Sequence, residues 1–161
     1  MSYIKDLRAK VGNDNIIVNA CAVVIVNNNN QILLQKRSDN LLWGLPGGLL
    51  EIEETITQAA IREVKEETNL DVELIRFLGV FNNPFMRWRK KDRARVISFA
   101  FVGELKSSDL KINDSESKEL KYFDYENLPQ IHSIDTIEII EAYYNDKLNL
   151  VEGKNYDEKK I

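Results

Sequence analysis

The stretch 43–70, WGLPGGLLEIEETITQAAIREVKEETNL, decides how we expect the chain to fold. A Pro-Gly-Gly turn is followed by six glutamates grouped around one arginine. If residues 54–68 are helical, Glu63 lies one turn before both Glu66 and Glu67, so these carboxylates share a face and repel each other. A hard divalent cation such as Mg2+ or Mn2+ would turn this repulsion into coordination. The stretch therefore predicts a helix that carries a metal site.

Within the predicted helix, apolar and acidic side chains occupy different faces. The packed face is predicted from apolar residues at helical spacing, namely Ile56, Ala59, Ala60 and Val64. Asn69 follows the last turn, where a left-handed residue is common and asparagine is the second choice after glycine, so the helix should end at Thr68. Acidic residues are favoured at a helix start. Glu54 is therefore interpreted as structural, through capping or a bond to the arginine, while Glu51 and Glu53 stay unassigned.

The segments before this stretch predict two strands. The apolar run Ile16 to Val26 is nearly continuous and rich in β-branched residues, as expected of a strand covered on both faces. The polar patch Asn27 to Asn30 indicates a hairpin turn, with Ile32 to Gln35 as the partner strand. Cys21, the only cysteine in the sequence, lies inside the apolar run. It is predicted to be a small core side chain, and a single cysteine excludes an intrachain disulfide.

The segments after the predicted helix add further strands and a second helix. The remaining predicted elements are strands at 71–81, 94–105 and 120–123, a helix at 133–145, a short N-terminal helix at 3–11 and a frayed tail at 152–161. Strands before, between and after two well-marked helices predict an α/β fold with a mixed β-sheet sandwiched by helices.

Length and composition predict one globular domain. The chain has 161 residues, 43% hydrophobic and 30% charged, so residues 1–161 are expected to form a single domain with 1–15 as an N-terminal extension. A net charge of -4 gives no general attraction to nucleic acid or acidic membranes. The charged N-terminus lacks the apolar core of a signal peptide, and no apolar run has the length of a membrane span. We therefore expect a cytoplasmic protein with no membrane partner.

The spacing of the acidic stretch closely resembles the Nudix box, the signature of hydrolases that cleave nucleoside diphosphates linked to another group. The match covers 23 residues and runs through Gly48, Glu54, Arg62-Glu63-Val64, Glu66-Glu67 and Asn69-Leu70. The turn that precedes Gly48 and the strand-rich segments around the box extend the resemblance. It implies a Nudix-type α/β/α sandwich.

Two positions depart from the family pattern. Glu53 stands where the family commonly has glycine, and Asn69 replaces the terminal glycine of the box. The second change is benign because asparagine tolerates the left-handed conformation. A glutamate at position 53 would be strained if that position required a positive φ, so the shape of this loop is an open question.

The resemblance also implies roles for individual residues. Metal ions lower the barrier to attack of water on an anionic pyrophosphate, and oxygen ligands suit Mg2+, with Mn2+ as a substitute. By this resemblance Glu66 and Glu67 are the principal metal ligands, and the Gly47 carbonyl is an additional ligand. Glu63 is a further ligand or the base that deprotonates water. Arg62 would orient these carboxylates through charge-assisted hydrogen bonds.

Outside the box, one more catalytic carboxylate is expected from the loop before Tyr122 and Phe123. Glu116 is the preferred candidate and Glu119 the alternative, and exposed loop charge is the competing interpretation of both. His132, the only histidine, follows a Leu-Pro pair in a predicted loop and is interpreted as structural.

Substrate contacts are predicted at Arg37, Trp43, Phe81, Arg87 and Arg89. Arg37 ends the second predicted strand and faces the approach to the Pro-Gly-Gly turn, although a plain surface charge accounts for it equally well. The basic side chains from Arg87 to Arg95 interleave with aromatic ones and could bind phosphates and stack on a base. A solvated hairpin tip is the alternative interpretation.

The leading hypothesis is an Mg2+-dependent pyrophosphohydrolase acting on a nucleoside diphosphate derivative. ADP-ribose or a nucleotide sugar is placed slightly ahead of an oxidised nucleoside triphosphate. Two alternatives stay open: a non-catalytic nucleotide-binding regulator, and a hydrolase of the RNA cap or 5' end, although the net charge argues against nucleic acid as a partner. Pairing of two copies into a homodimer also stays open.

Overall fold

The computed structural model describes residues 2–84, 93–151 and 154–155. Its helices and strands, in chain order, are α1 (Tyr3–Val11), β1 (Ile16–Ile25), β2 (Ile32–Arg37), β3 (Trp43–Gly44), α2 (Ile56–Thr68), β4 (Val72–Phe81), β5 (Ala94–Leu105), β6 (Ser117–Phe123), α3 (Ile134–Tyr144), β7 (Leu150–Val151) and β8 (Lys154–Asn155). One turn of 3-10 helix, Tyr125–Asn127, follows β6. Within the described residues, no helix has the length and apolarity needed to cross a membrane.

The strands form two sheets. Five of them make a mixed sheet in the order β1-β5-β4-β7-β8, and three make an antiparallel sheet in the order β3-β2-β6. In the larger sheet β1 runs parallel to β5, whereas β4 runs antiparallel to β5. The predicted α/β fold with a mixed sheet is therefore confirmed.

The pairing predicted for β1 and β2 is confirmed only beside the turn, and the strands themselves pair elsewhere. Residues 27–30 do form a tight turn, but only the bridge between Val26 and Ile32 joins the two strands beyond it. Both edges of β1 are already occupied: β5 pairs along one edge, and on the other the backbone N–H groups of Cys21 and Val23 donate to the carbonyls of Gly48 and Pro46 at 2.9 Å each. The strand β2 instead pairs with β3 and β6.

Helices α2 and α3 cover opposite faces of the larger sheet. Side chains alternate between these faces along a strand, so β1 contacts both helices. From β1, Cys21 and Val23 pack in the cluster that contains the apolar side of α2, including Val64. The intervening residues face the other cluster, where Val24 packs with Ile140 of α3. Burying each such aliphatic side chain contributes about 1.5 to 3 kcal/mol. The predicted core role of Cys21 is confirmed, since its thiol is buried and free.

Helix α2 begins and ends close to its predicted bounds. Thr55 caps its start: the Thr55 hydroxyl accepts from the Gln58 N–H at 3.3 Å, and the Gln58 side chain accepts from the Thr55 N–H at 2.8 Å. Asn69 ends it in the left-handed conformation with φ 61°, as predicted. Glu53 is exposed and is not among the residues with positive φ, so glutamate at this position imposes no backbone strain.

The C-terminal prediction needs a partial correction. Residues 154–155, placed in the frayed tail, form strand β8 and pair with β7. The backbone hydrogen bonds of this short antiparallel pair add an outer edge to the larger sheet. The other residues of the predicted tail, 152–153 and 156–161, lie outside the described residues.

Candidate active site

The glutamates of α2 differ sharply in exposure, although their spacing placed them on one face. The Glu67 residue is 6% exposed, whereas the Glu66 side chain is 56% exposed. Glu63 is intermediate and mostly buried. Glu67 follows Ala60 and Val64 along the inner side of the helix, so the packing of α2 on the sheet draws its carboxylate inward. The metal face predicted from the sequence is therefore half buried.

The loop after β3 runs along the free edge of β1 and meets these carboxylates. Its backbone follows the edge of β1 through three hydrogen bonds, from Val23 to Pro46, from Cys21 to Gly48 and from Leu50 to Asn19. At the centre of the loop, the Gly47 N–H donates to Oε2 of Glu67 at 2.8 Å. This bond orients the buried carboxylate toward the loop.

The two glycines of this loop are required by close approaches. Gly47 has φ 150°, and a Cβ there would collide with the backbone carbonyl oxygen of Cys21. A Cβ on Gly48 would lie 2.5 Å from the carboxylate of Glu63. The first glycine therefore allows the loop to pass close to β1, and the second makes room for a glutamate.

Arg62 holds the neighbouring carboxylates in place, as predicted. Its Nε and Nη2 donate to the two oxygens of Glu54 at 2.9 and 2.6 Å. Its Nη1 donates to Glu63 at 2.8 Å and to Glu66 at 3.0 Å. The Arg62 hydrogen bonds hold the pKa of Glu54 below its usual value. Glu54 thus bonds to Arg62, which was one of the two structural roles proposed for it.

Burial changes the acidity of the two inner glutamates. Desolvation raises the pKa of Glu67 to about 8, against the opposing effect of hydrogen bonds from the Gln35 side chain and the Gly47 N–H. Desolvation also raises the pKa of Glu63, although Arg62 opposes the rise. Charge repulsion from Glu63 adds to the raised pKa of Glu67, and repulsion from Glu66 and Glu116 adds to that of Glu63. Glu67 can therefore hold a proton near neutral pH, and a bound cation would offset the charge of either carboxylate.

A cleft of about 560 Å³ opens over these residues. Its floor carries Gly47, Glu63 and Glu67, and its walls come from the first turns of α1, the start of α3 and the loop before β6. Acidic groups outnumber basic ones along its lining. The cleft is large enough for a small organic ligand.

Of the two loop carboxylates considered from the sequence, the structure brings Glu116 to the cleft. Its backbone N–H donates to the Asp114 side chain at 3.1 Å, and its carbonyl accepts from Ser38 at 2.8 Å, so both sides of the loop are anchored. Asp114 also lines the cleft and was not predicted. Glu119 lies elsewhere and faces Lys36 across the second sheet at 3.9 Å.

The predicted substrate contacts meet different outcomes. Arg37 lines the cleft, but its guanidinium donates two hydrogen bonds of 3.0 Å to Asp39. Phe81 is 1% exposed and Trp43 packs edge-on against Phe123, both inside the core. Their burial is at odds with contact to a substrate, because neither ring reaches the cleft lining. Arg87 and Arg89 lie outside the described residues.

Two functional candidates were missed from the sequence. Gln35 is buried in β2, accepts a hydrogen bond from the Ser117 hydroxyl at 2.6 Å and bonds to Glu67. The signal was present, since Gln35 is a polar residue at the end of an apolar strand. Asp135 at the start of α3 is 2% exposed; its Oδ1 accepts from the Asn83 N–H at 3.0 Å, and its Oδ2 has no hydrogen-bond partner within the described part of the chain.

His132 also lines the cleft and behaves as a buried neutral side chain. Its Nε2 lies 3.1 Å from the Thr136 hydroxyl, and the absence of a side chain on Gly44 leaves room for its ring. Desolvation lowers its pKa to about 4. Such a side chain stays neutral at physiological pH, which agrees with the structural interpretation.

The donor chemistry of the cleft suits a hard divalent cation. Carboxylate and carbonyl oxygens are the ligands that Mg2+ and Mn2+ prefer, and burial disfavours the charged form of Glu67, as its raised pKa indicates. In the arrangement of the described residues, no three Asp, Glu, His or Cys side chains converge closely enough to form a metal site. Instead, Arg62 Nη1 lies between Glu63 and Glu66 and supplies a positive charge there.

The chain was compared with protein families and known proteins. Residues 17–143 match the model of the NUDIX domain. Over 116 residues the chain is 39% identical to an ADP-ribose pyrophosphatase of Methanocaldococcus jannaschii, covering 70% of this chain and 65% of that protein. Over 119 residues it is 34% identical to the NAD-capped RNA hydrolase NudC of Vibrio atlanticus, covering 73% of this chain and 41% of that protein. The chain therefore spans less than two thirds of either relative.

A solved structure shares the fold. The crystal structure of a MutT protein from Methanosarcina mazei superposes with a TM-score of 0.70 at 23% identity, over 83% of this chain and 96% of that one.

Proposed function

The chain belongs to the NUDIX family, and we propose that it is a divalent-metal-dependent pyrophosphohydrolase that cleaves a nucleoside diphosphate linked to another group. The observation that carries the proposal is the meeting of buried Glu67 and Glu63 with the Gly47-Gly48 loop on the floor of the cleft. Two desolvated carboxylates in an open cleft are costly unless a cation or a proton joins them. A catalytic role explains why they are kept there.

The proposed metal ligands are Glu63, Glu66, Glu67 and the carbonyl of Gly47. A bound Mg2+ or Mn2+ would neutralise phosphate oxygens and lower the pKa of an attacking water. Arg62 orients Glu63 and Glu66 from one nitrogen, and the Gly47 N–H orients Glu67.

The proton from the attacking water needs an acceptor within the cleft. Glu63 and Glu116 both line the cleft, and the charge of Glu116 contributes to the raised pKa of Glu63, after desolvation by burial and the repulsion of Glu66. Glu63 is desolvated and hydrogen-bonded to Arg62, which fixes the direction of one oxygen. Either carboxylate can serve as the base, and both are proposed as catalytic residues.

The substrate proposed first is ADP-ribose or a nucleotide sugar, with an oxidised nucleoside triphosphate next. The likeness to a pyrophosphatase named for ADP-ribose supports this order. A turnover screen would compare ADP-ribose, nucleotide sugars, dinucleoside polyphosphates and nucleoside triphosphates, each with Mg2+ and with Mn2+. Release of AMP and ribose 5-phosphate from ADP-ribose is the expected result.

The Glu67→Gln variant tests the metal assignment with a matched control. It removes the charge but keeps an oxygen for the Gly47 N–H, so the fold should persist while metal-dependent turnover falls by about 100-fold or more. Glu53→Gln makes the same chemical change at an exposed position in the loop before α2 and should leave the rate unchanged. Full activity in the Glu67→Gln protein would refute the assignment.

A second candidate is hydrolysis of an NAD-type cap on RNA, because one relative carries that activity in its name. NAD contains the same kind of diphosphate linkage, so the cleavage site would be shared. Neutralising Arg89, Lys90 and Lys91 should then weaken turnover of capped RNA and spare ADP-ribose. Tight nucleotide binding with no cleavage of any compound in the screen would instead favour a non-catalytic regulator.

A further inference from the structure

Helix α1 forms one wall of the cleft, although it precedes the segment that matches the family model. The family match begins at residue 17, whereas α1 covers Tyr3–Val11. Side chains of this helix that line the cleft are Ile4, Lys5 and Arg8. These positions lie on neighbouring rows of one helix face, since residues three and four apart are adjacent on a helix. The helix therefore contributes a side-chain surface that the family pattern does not describe.

Three contacts fix α1 in this position. The Tyr3 N–H donates to Oε2 of Glu51 at 2.7 Å, which ties the first turn to the loop between Gly48 and α2. Ile4 packs against the cluster that contains Val18 and Ala20 of β1. Arg8 donates to the carbonyl of Arg93, the residue before β5, at 3.4 Å. Glu51, which had no role from the sequence alone, is thus the anchor of α1.

The basic side chains that line the cleft differ in their ion pairs and hydrogen bonds. Those that line the cleft within the described residues are Lys5, Arg8, Arg37 and Arg62. Arg62 bonds to Glu54, Glu63 and Glu66, and Arg37 forms a two-bond pair with Asp39. Arg8 bonds to backbone carbonyls. In the same described part of the chain, Lys5 shows no ion pair or side-chain hydrogen bond, and its side chain is exposed.

A diphosphate in this cleft needs more positive charge than the arginines of the cleft can supply, because these arginines are already hydrogen-bonded to other groups. The acidic lining residues are Glu51, Glu63, Glu66, Glu67, Asp114, Glu116 and Asp135, which outnumber the four cations. A metal ion bound at the glutamates would offset part of this charge on the floor of the cleft. An ammonium on the wall, carried by a long stem from a tethered helix, can reach an anionic group that lies above that floor.

We propose that Lys5 binds a phosphate oxygen of the substrate's diphosphate, so that α1 is part of the substrate site. This inference rests on the proposed function in assuming a diphosphate in the cleft. The Lys5 ammonium pairs with a phosphate group that is present in both the substrate and the transition state. An interaction made equally in both states strengthens binding and does not speed bond cleavage. Lys10 provides the matched control, since it is exposed on the same helix and does not line the cleft.

The test is calorimetric titration with the α,β-methylene analogue of ADP-ribose, whose bridging carbon resists hydrolysis, in the presence of Mg2+. Lys5→Met keeps an unbranched side chain of similar length and removes the charge, and it should weaken binding by about tenfold. Lys5→Arg should bind within about twofold of the parent protein, as should Lys10→Met. The affinity of the parent protein should also fall more steeply with salt than that of Lys5→Met. Thermal unfolding midpoints should agree among all four proteins.

The possible outcomes separate the two proposals. Binding of the analogue with the expected loss in Lys5→Met, but no hydrolysis of ADP-ribose by the parent protein, would refute the enzymatic function and support the Lys5 site. Hydrolysis with equal affinity in the parent and Lys5→Met proteins would refute the Lys5 site alone. An equal loss in Lys10→Met would also refute it, because a general charge effect would then explain the result. If the parent protein did not bind the analogue, both proposals would be overturned for this substrate class.

Discussion

Of the alanine substitutions at the adjacent glycines 47 and 48, the first should mainly lower stability and the second should mainly lower activity. At Gly47 the added Cβ would collide with the backbone carbonyl of Cys21, and the backbone holds φ 150°, which alanine rarely adopts. Neither the Cys21 carbonyl nor the φ of residue 47 can change unless the loop lifts from β1. At Gly48 the added Cβ would instead meet the carboxyl end of Glu63, 2.5 Å away, which is the mobile end of a flexible side chain.

The expected magnitude for Gly47→Ala follows from the bonds that the loop makes. Lifting the loop breaks up to three backbone hydrogen bonds to β1, each worth about 0.5 to 1.5 kcal/mol net. Keeping it in place instead costs about 1 to 3 kcal/mol of backbone strain plus the steric overlap. Either way Gly47→Ala should lose about 1.5 to 4.5 kcal/mol, a large share of the roughly 5 to 15 kcal/mol typical of a folded domain.

The Gly48→Ala protein should lose less than about 1 kcal/mol, because Glu63 can rotate away. Its proposed catalytic carboxylate would then be misplaced by about 1 Å or more, which costs roughly 100-fold in rate. Urea unfolding followed by circular dichroism measures the first effect, and initial rates with ADP-ribose measure the second. A Gly47→Ala protein within 1 kcal/mol of the parent, a bound set by the estimate above, would refute the reasoning. So would equal destabilisation by the two substitutions.

Two further predictions concern residues at the rim of the site and at the end of α2. Because burial lowers the pKa of His132 from 6.5 to about 4, protons bind the unfolded chain more tightly. The His132 contribution to stability is therefore lost as pH falls from 6.5 toward 4, and linkage gives a loss of about 1 to 2 kcal/mol between pH 7 and pH 5. Urea unfolding of the parent and His132→Gln proteins at both pH values should show that the free energy of unfolding falls more in the parent protein between pH 7 and pH 5. An equal fall in the two proteins would contradict the prediction. At the end of α2, Asn69→Gly keeps the left-handed φ but loses the 2.9 and 2.8 Å bonds to Asp109. It should cost less than about 1 kcal/mol, whereas Asn69→Ala should cost about 1 to 2 kcal/mol more. Equal stability of the two Asn69 variants would show that φ is not the deciding factor.

Features that depend on near neighbours in the chain were predicted well. The end of α2 at Thr68, the left-handed Asn69 and the bond between Arg62 and Glu54 all follow from groups within about two helical turns of each other. Helical spacing sets which of these side chains can meet, and the backbone hydrogen bonds of the helix enforce that spacing.

Strand pairing was predicted less well because it depends on competition between distant segments. The turn at 27–30 suggested a hairpin, but the loop at 46–50 and β5 occupy the two edges of β1. A local turn signal carries no information about which other segment binds an edge more favourably.

Residue types and their local spacing were enough to predict the carboxylates of the candidate site, their arginine and the turn that precedes them. The packing of the folded chain makes these groups differ, because it buries Glu67, exposes Glu66 and brings Gln35 and Glu116 beside them. It also placed α1 and Lys5 on the wall of the cleft. The physical reason is that residue type and helical spacing are local properties, whereas desolvation and charge environment depend on which distant segments pack over each side chain.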